Sequence, residues 1–394
     1  MCENYSSPYH DFPEEPPGDS IDAKNTAGEN ATYTTNNNPV ENMDTIRKKY
    51  RILNHTIDSL YNYLKKSIIG QDECIKKLLF VVYNNHFLNM VEEVSGLRIK
   101  RLNALAIGPS GVGKTMTISK ISELFGVPYV KIDATSLTSA AYSGLDVDSI
   151  YLALIKAAGG DIKAAEHGII FLDEIDKKVS TNPENSVGRD VNGTAVQEEL
   201  LKLLQPSVVY LGKDYQPFDT HGITVLLGGH FKDLEKIRTK RLEGDSVIGF
   251  KSTPNTSADE LTFNSDKIST EYIPDDLIKF GFIPEFVGRI LVYAEFKKLS
   301  LFDLLEVIHS DDSILTQYMQ IFDIKGTHLY IDEINFFNIA CEVLNNSTGA
   351  RDLEKKIIDL IYPALYQTLQ NPFPGLCDID ENKKYYGVFL PKDK

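Results

Sequence analysis

An apolar stretch, Leu102–Ile107, runs directly into Gly108-Pro109-Ser110-Gly111-Val112-Gly113-Lys114-Thr115, and a segment with helical apolar spacing, Lys114–Phe125, follows. The pattern is G-x-x-x-x-G-K-[ST] in the one context where it has a mechanism, between a strand and a helix. Glycines let successive backbone N–H groups curl around phosphates, and the following helix aims its positive end at them. A lysine at this place meets the β- and γ-phosphates, and the Thr115 hydroxyl takes a place on Mg²⁺.

Farther along, Ile169-Ile170-Phe171-Leu172-Asp173-Glu174-Ile175-Asp176 is an apolar strand that ends in acids. Asp173 at the strand end can hold Mg²⁺ through water, and Glu174 beside it can polarise an attacking water. A single acid would do no more than terminate a buried strand. Paired acids together with a phosphate loop imply hydrolysis of ATP or GTP.

Around these motifs the pattern alternates. Strands are predicted at Leu102–Ile107, Pro128–Ala134, Gly168–Leu172, Ile223–Leu227 and Ile290–Phe296. Helices are predicted where Leu60, Tyr63, Leu64 and Ile68 recur, then at Asp72–Val94, Lys114–Phe125 and Asp146–Ala158. Such alternation builds a parallel sheet flanked by helices on both faces. From Lys298 the pattern turns to helices at Leu301–Phe322, Ile334–Asn346 and Arg351–Leu369, with short strands at His328–Ile331 and Tyr385–Leu390. We therefore expect an acidic tail at 1–43, a large α/β domain at 44–297 and a smaller, mainly helical C-terminal domain at 298–394. The tail carries eight carboxylates against Lys24, which is −7 of the chain's −15, and almost no aliphatic residues. It cannot bury enough apolar surface to offset its ordering entropy.

The acidic balance, with a sequence pI near 5.1, argues against a nucleic-acid binder. Cys2, Cys74, Cys341 and Cys377 stand far apart, with no Cys-x-x-Cys pair to read as a zinc or redox site. Few scattered thiols fit a reducing cytosol. No basic segment followed by an apolar one opens the chain, and no apolar run is long enough to cross a membrane. The expectation is a soluble cytoplasmic protein.

Several runs carry a resemblance. Leu277-Ile278-Lys279-Phe280-Gly281-Phe282-Ile283-Pro284-Glu285-Phe286-Val287-Gly288-Arg289-Ile290, together with Asp133–Thr138, Arg189–Gly193 and Gly349–Leu353, resembles the ClpX unfoldases, collinearly over about residues 45–370. The resemblance implies an AAA+ P-loop fold that binds ATP and Mg²⁺ and works as a homohexamer on polypeptide substrates. It implies that Arg289 is an arginine finger for the neighbouring subunit's nucleotide and that Arg351 contacts nucleotide from the small domain. Ile68, Ile69, Gly70 and Gln71 would cradle adenine. Tyr142 and Ser143 would lie in the pore loop that pushes on a translocating chain, with a second pore loop within Asn182–Gly193. Ile248, Gly249 and Phe250 match the tripeptide with which the family docks on its peptidase ring, ClpP.

The sequence departs from the family in places. Ser143 replaces an aliphatic residue of the pore loop, and Ala141 a flanking glycine. The stretch between Leu204 and Ile223 is short and lacks an Arg-Lys-His triplet that helps relatives recruit tagged substrates. A zinc-binding N-terminal domain is replaced by the acidic tail, so no zinc is expected. Gly228-Gly229-His230-Phe231 ends the strand where generic AAA+ proteins often place Asn or Thr, but other ClpX-like chains share this form, so it separates the chain from other AAA+ clades. Two other readings stay open: a remodeller that works without a peptidase, and an ATP-switched scaffold with no mechanical output.

Overall fold

The computed structural model describes residues 45–46, 48–137, 147–179, 193–212, 215–243, 271–346, 349–371 and 374–389. Tyr142, Ser143, the expected second pore loop up to residue 192, the Ile248-Gly249-Phe250 tripeptide and the 1–43 tail lie outside them.

Helices α1 (Ile57–Leu64) and α2 (Asp72–Ser95) precede strand β1 (Ala104–Ile107), α3 (Lys114–Phe125) and β2 (Tyr129–Asp133). Then come α4 (Val147–Ala157), α5 (Ile162–Ala165), β3 (Ile169–Asp173), α6 (Gly193–Leu204), a hairpin of β4 (Val208–Leu211) and β5 (Gln216–Asp219), and β6 (Thr224–Gly229). Helices α7 (Leu234–Glu243), α8 (Pro274–Phe280) and α9 (Pro284–Val287) lead to β7 (Val292–Glu295). Five strands form one parallel sheet in the order β2-β3-β6-β1-β7. The inner strands read ALAI, IIFLD and TVLLGG, near-continuous apolar runs, because both faces of a parallel sheet are covered. The strand period of two sorts them. Ile170 and Leu172 enter one core with Leu105 and Leu227, while Ile169 and Phe171 enter the other with Ala104, Ala106 and Leu226.

Helix α2 lies across the second face and is fixed by buried amides. Asn85 donates to Leu102 O at 2.8 Å and accepts from Leu102 N at 2.8 Å, and Asn89 donates to Gly222 O at 3.0 Å. His86 is sandwiched between the rings of Tyr50 and Phe125, at centroid distances of 4.7 and 5.3 Å. Burial, then the nearby His167 and Lys49, holds the His86 imidazole down at about 3. His167 is held at about 4, again by burial first; Lys49, Arg101 and Lys163 add to the depression and Glu93 opposes it. Both rings are thus neutral in the fold and gain protons in the unfolded chain below about pH 6.5. Their contribution is present above that pH and is lost as the pH falls toward 4 and 3, at about 1.4 kcal/mol per pH unit for each ring. Between pH 6.5 and 5 His86 alone should cost about 2 kcal/mol of urea stability, and His86→Phe should remove that share of the slope. A stability that is flat from pH 7 to 5 would contradict this.

The C-terminal part has its own core, built from residues such as Leu304, Phe322, Phe336, Ile357 and Cys377. It comprises α10 (Leu301–His309), α11 (Ile314–Ile324), β8 (Thr327–Ile331), α12 (Glu333–Asn346), α13 (Ala350–Gln370), β9 (Gly375–Ile379) and β10 (Tyr385–Phe389). The single helix expected at Leu301–Phe322 is two. Ser310 turns to extended backbone with ψ 154°, and Ser313 caps the next helix by accepting from Thr316 N at 3.1 Å. Serine and aspartate in Ser310-Asp311-Asp312-Ser313 compete for backbone hydrogen bonds and favour that break. Likewise α1 stops at Leu64, so Ile68 is buried from a turn rather than from the helix. Strand β9 was not expected; it pairs parallel with β8 and antiparallel with β10.

Candidate functional site

The C-terminal ends of β1 and β3 open onto a polar cavity of about 480 Å³. Ser110, Gly111, Gly113, Lys114 and Thr115 form one wall, Asp173 and Glu174 a second, and Arg351 and Glu354 from α13 a third. It shares Gly113, Met116, Ala350 and Glu354 with an apolar slot of about 110 Å³ lined by Ile68, Ile69, Leu299 and Leu353. A polar chamber beside an apolar slot matches a polyphosphate joined to a planar base. Gly70 and Gln71 do not line the slot. Gln71 is buried and bonds Lys297 through both ends of its amide, donating to Lys297 O at 2.8 Å and accepting from Lys297 N at 3.1 Å. Arg289 lies between α9 and β7, away from the cavity; its carbonyl accepts from Asn103 at 3.2 Å.

Helix α3 begins at the loop's lysine, with Gly113 left-handed at its cap (φ 95°). The first N–H groups of a helix have no intrahelical acceptor, so they face the chamber as anion donors. Lys114 is buried and folds back onto Gly108 O and Pro109 O, both at 2.6 Å. Burial pushes its ammonium down to about 8, against the pull of Asp173 and Asp176. Across the chamber Thr115 Oγ1 stands 3.4 Å from Asp173 Oδ2. A hydroxyl and a carboxylate oxygen at this spacing are hard donors that suit Mg²⁺, so the residues present fit that ion.

Glu174 follows β3 in left-handed backbone, φ 60° and ψ 31°. That conformation is costly for a side chain with a Cβ, and such strain gathers at functional sites. Its carboxylate is paired with Lys177. Asp176 reaches across to the end of β6, accepting from His230 N at 3.1 Å and Phe231 N at 3.3 Å. This explains the glycine before them: a Cβ on Gly229 would stand 2.4 Å from Asp176 Oδ1. Local sequence pattern does not mark Asp176 or Lys177 as site residues, although Lys177 is one helical turn past Glu174. Lys131 joins the site from β2 only through sheet register.

The fold and the chamber define a P-loop ATPase of the AAA class, and residues 100–293 match the AAA domain (Cdc48 subfamily). Three curated relatives are each named ATP-dependent Clp protease ATP-binding subunit ClpX. That of Borrelia duttonii is 36% identical over 328 residues, covering 79% of this chain and 74% of the relative. That of Azotobacter vinelandii is 35% identical over 327 residues (78% and 72%), and that of Treponema denticola 35% over 353 residues (86% and 83%). The chain belongs to the ClpX family. Among the described residues no helix is long and apolar enough to cross a membrane.

Proposed function

We propose that the chain is an ATP-driven protein unfoldase that feeds polypeptides to a ClpP peptidase ring. The observation that carries this reading is the chamber itself, in which the phosphate loop, the acid pair and α13 of the C-terminal part converge in a chain of the ClpX family. In this reading residues 44–297 are the ATPase domain, 298–394 the nucleotide-sensing small domain and 1–43 a solvating tail. Zinc plays no part.

The loop N–H groups and Lys114 bind the β- and γ-phosphates, while Ile68 and Ile69 receive the adenine. Mg²⁺ held by Thr115 and, through water, by Asp173 would neutralise charge between the phosphates. Glu174 orients the attacking water and accepts its proton. Arg351 binds nucleotide from the small domain, and Arg289 serves the site of the next subunit in a homohexamer. Turnover then changes the angle between the two parts and drives the Tyr142–Ser143 loop along a polypeptide. Folds held by only ~5–15 kcal/mol yield to such a machine. Ile248, Gly249 and Phe250 dock on ClpP, and the whole works in the cytoplasm without nucleic acid or membrane.

The test is degradation of a stable fluorescent reporter with an unstructured tail, by purified protein, ATP and ClpP. Fluorescence should fall with release of peptides, and Ile248→Ala/Phe250→Ala should abolish peptide release while ATP turnover continues. Unfolding that persists without any ClpP association would instead establish a stand-alone remodeller.

A further inference from the structure

Strand β2 carries Lys131 opposite Phe171 of β3, and Asp133 opposite Asp173. The strand period puts Val130 and Ile132 into the core on one side of the sheet and Tyr129 into the other, so Lys131 emerges on the side of α3. There its Nζ stands 2.9 Å from Asp173 Oδ2 and donates to Thr115 Oγ1 at 3.1 Å. These are the two oxygens that stand 3.4 Å apart and suit Mg²⁺. Asp173 is 14% exposed and Lys131 37%, so the pair is shielded on the acid's side. An ammonium held on both oxygens occupies lone pairs that the ion or its bound water would use, and its charge repels the ion.

We propose that Lys131 is a built-in competitor for the divalent cation, a positioning residue that holds Asp173 and Thr115 until metal displaces it. The inference rests on reading the chamber as the Mg²⁺-nucleotide site. Two consequences follow from charge alone. Metal must enter against the Lys131 charge and loosen its hold on Thr115 and Asp173, so the chain needs more Mg²⁺ to reach its tight nucleotide-binding state. Without metal, Lys131 neutralises Asp173, so the diphosphate of ADP meets less repulsion than it would beside a bare carboxylate.

The full-length chain can be titrated with a fluorescent N-methylanthraniloyl ADP, first in EDTA and then across buffered Mg²⁺ concentrations. Lys131→Met keeps the stem and removes the charge; Lys131→Arg retains the charge. The methionine variant should reach half-maximal Mg²⁺ effect at about fivefold lower concentration than wild type, the size of a partly exposed ion pair. Its affinity in EDTA should fall, and the arginine variant should stay near wild type in both. Equal midpoints and equal EDTA affinities for wild type and Lys131→Met, with thermal melting unchanged, would overturn the proposal. Failure of the wild type to bind the nucleotide even with Mg²⁺ would instead overturn the reading of the chamber.

Discussion

Glu174→Gln should lower ATP turnover by about 10²- to 10⁴-fold, the range expected for loss of a general base, while nucleotide affinity changes little. The amide keeps the shape and lines the same chamber, but it cannot take a proton from water. Asp173, Thr115 and Lys114, which hold the phosphates and metal in the proposed mechanism, are untouched. One carboxylate oxygen, Oε2, is paired with Lys177, so Glu174→Gln loses the charge of that pair as well as the base. Steady-state phosphate release beside equilibrium nucleotide binding separates the two effects. Turnover within tenfold of wild type would remove Glu174 from the mechanism.

The second large effect is on stability. Asp276 is fully buried and receives both Nε and Nη2 of Arg241 at 2.9 Å, along with Ile273 N at 3.1 Å. It therefore caps α8 and joins it to α7 at once. Removing one partner of a buried pair costs about 3–5 kcal/mol, because the other charge stays desolvated. Asp276→Ala should lower urea stability by that amount, and Asp276→Asn by less, since its amide oxygen can still cap the helix. A loss under about 1 kcal/mol for the alanine variant would show that the pair relaxes into water rather than remaining buried.

Much of the ATPase core was legible in the sequence because its signals are local. The glycines around Lys114 and the acids after an apolar strand follow from chemistry within a few residues, and the strand and helix ends at these motifs agree closely with the structure. What escaped depends on distant residues. Lys131 reads as an ordinary polar position of an edge strand until the β2–β3 register sets it beside Asp173. The glycine at 229 belongs to a form that other ClpX-like chains share, and its steric reason, the approach of Asp176 and of the Phe231 ring, lies outside the local sequence pattern. Gln71 sits beside the apolar Ile68-Ile69 pair in sequence, yet its amide is used on Lys297. The Ser310–Ser313 break was missed for a different reason: apolar periodicity continues through it, while the capping hydroxyls interrupt the backbone.

The start of α13 rests directly on the phosphate loop. Ala350 N donates to Gly111 O at 2.9 Å, and a Cβ on Gly349 would come within 2.8 Å of that same oxygen. Gln71 grips Lys297 at the covalent crossing between the two parts. Two anchors of this kind define an axle. The 21-residue helix that leaves the first of them is roughly 30 Å long. A rotation of about 5° at the loop would carry its far end through about 3 Å. The loop that would grip a phosphate is thus the fulcrum of a lever, and a displacement too small to alter the chamber is enlarged at the far end of α13, where Thr368 packs against β9.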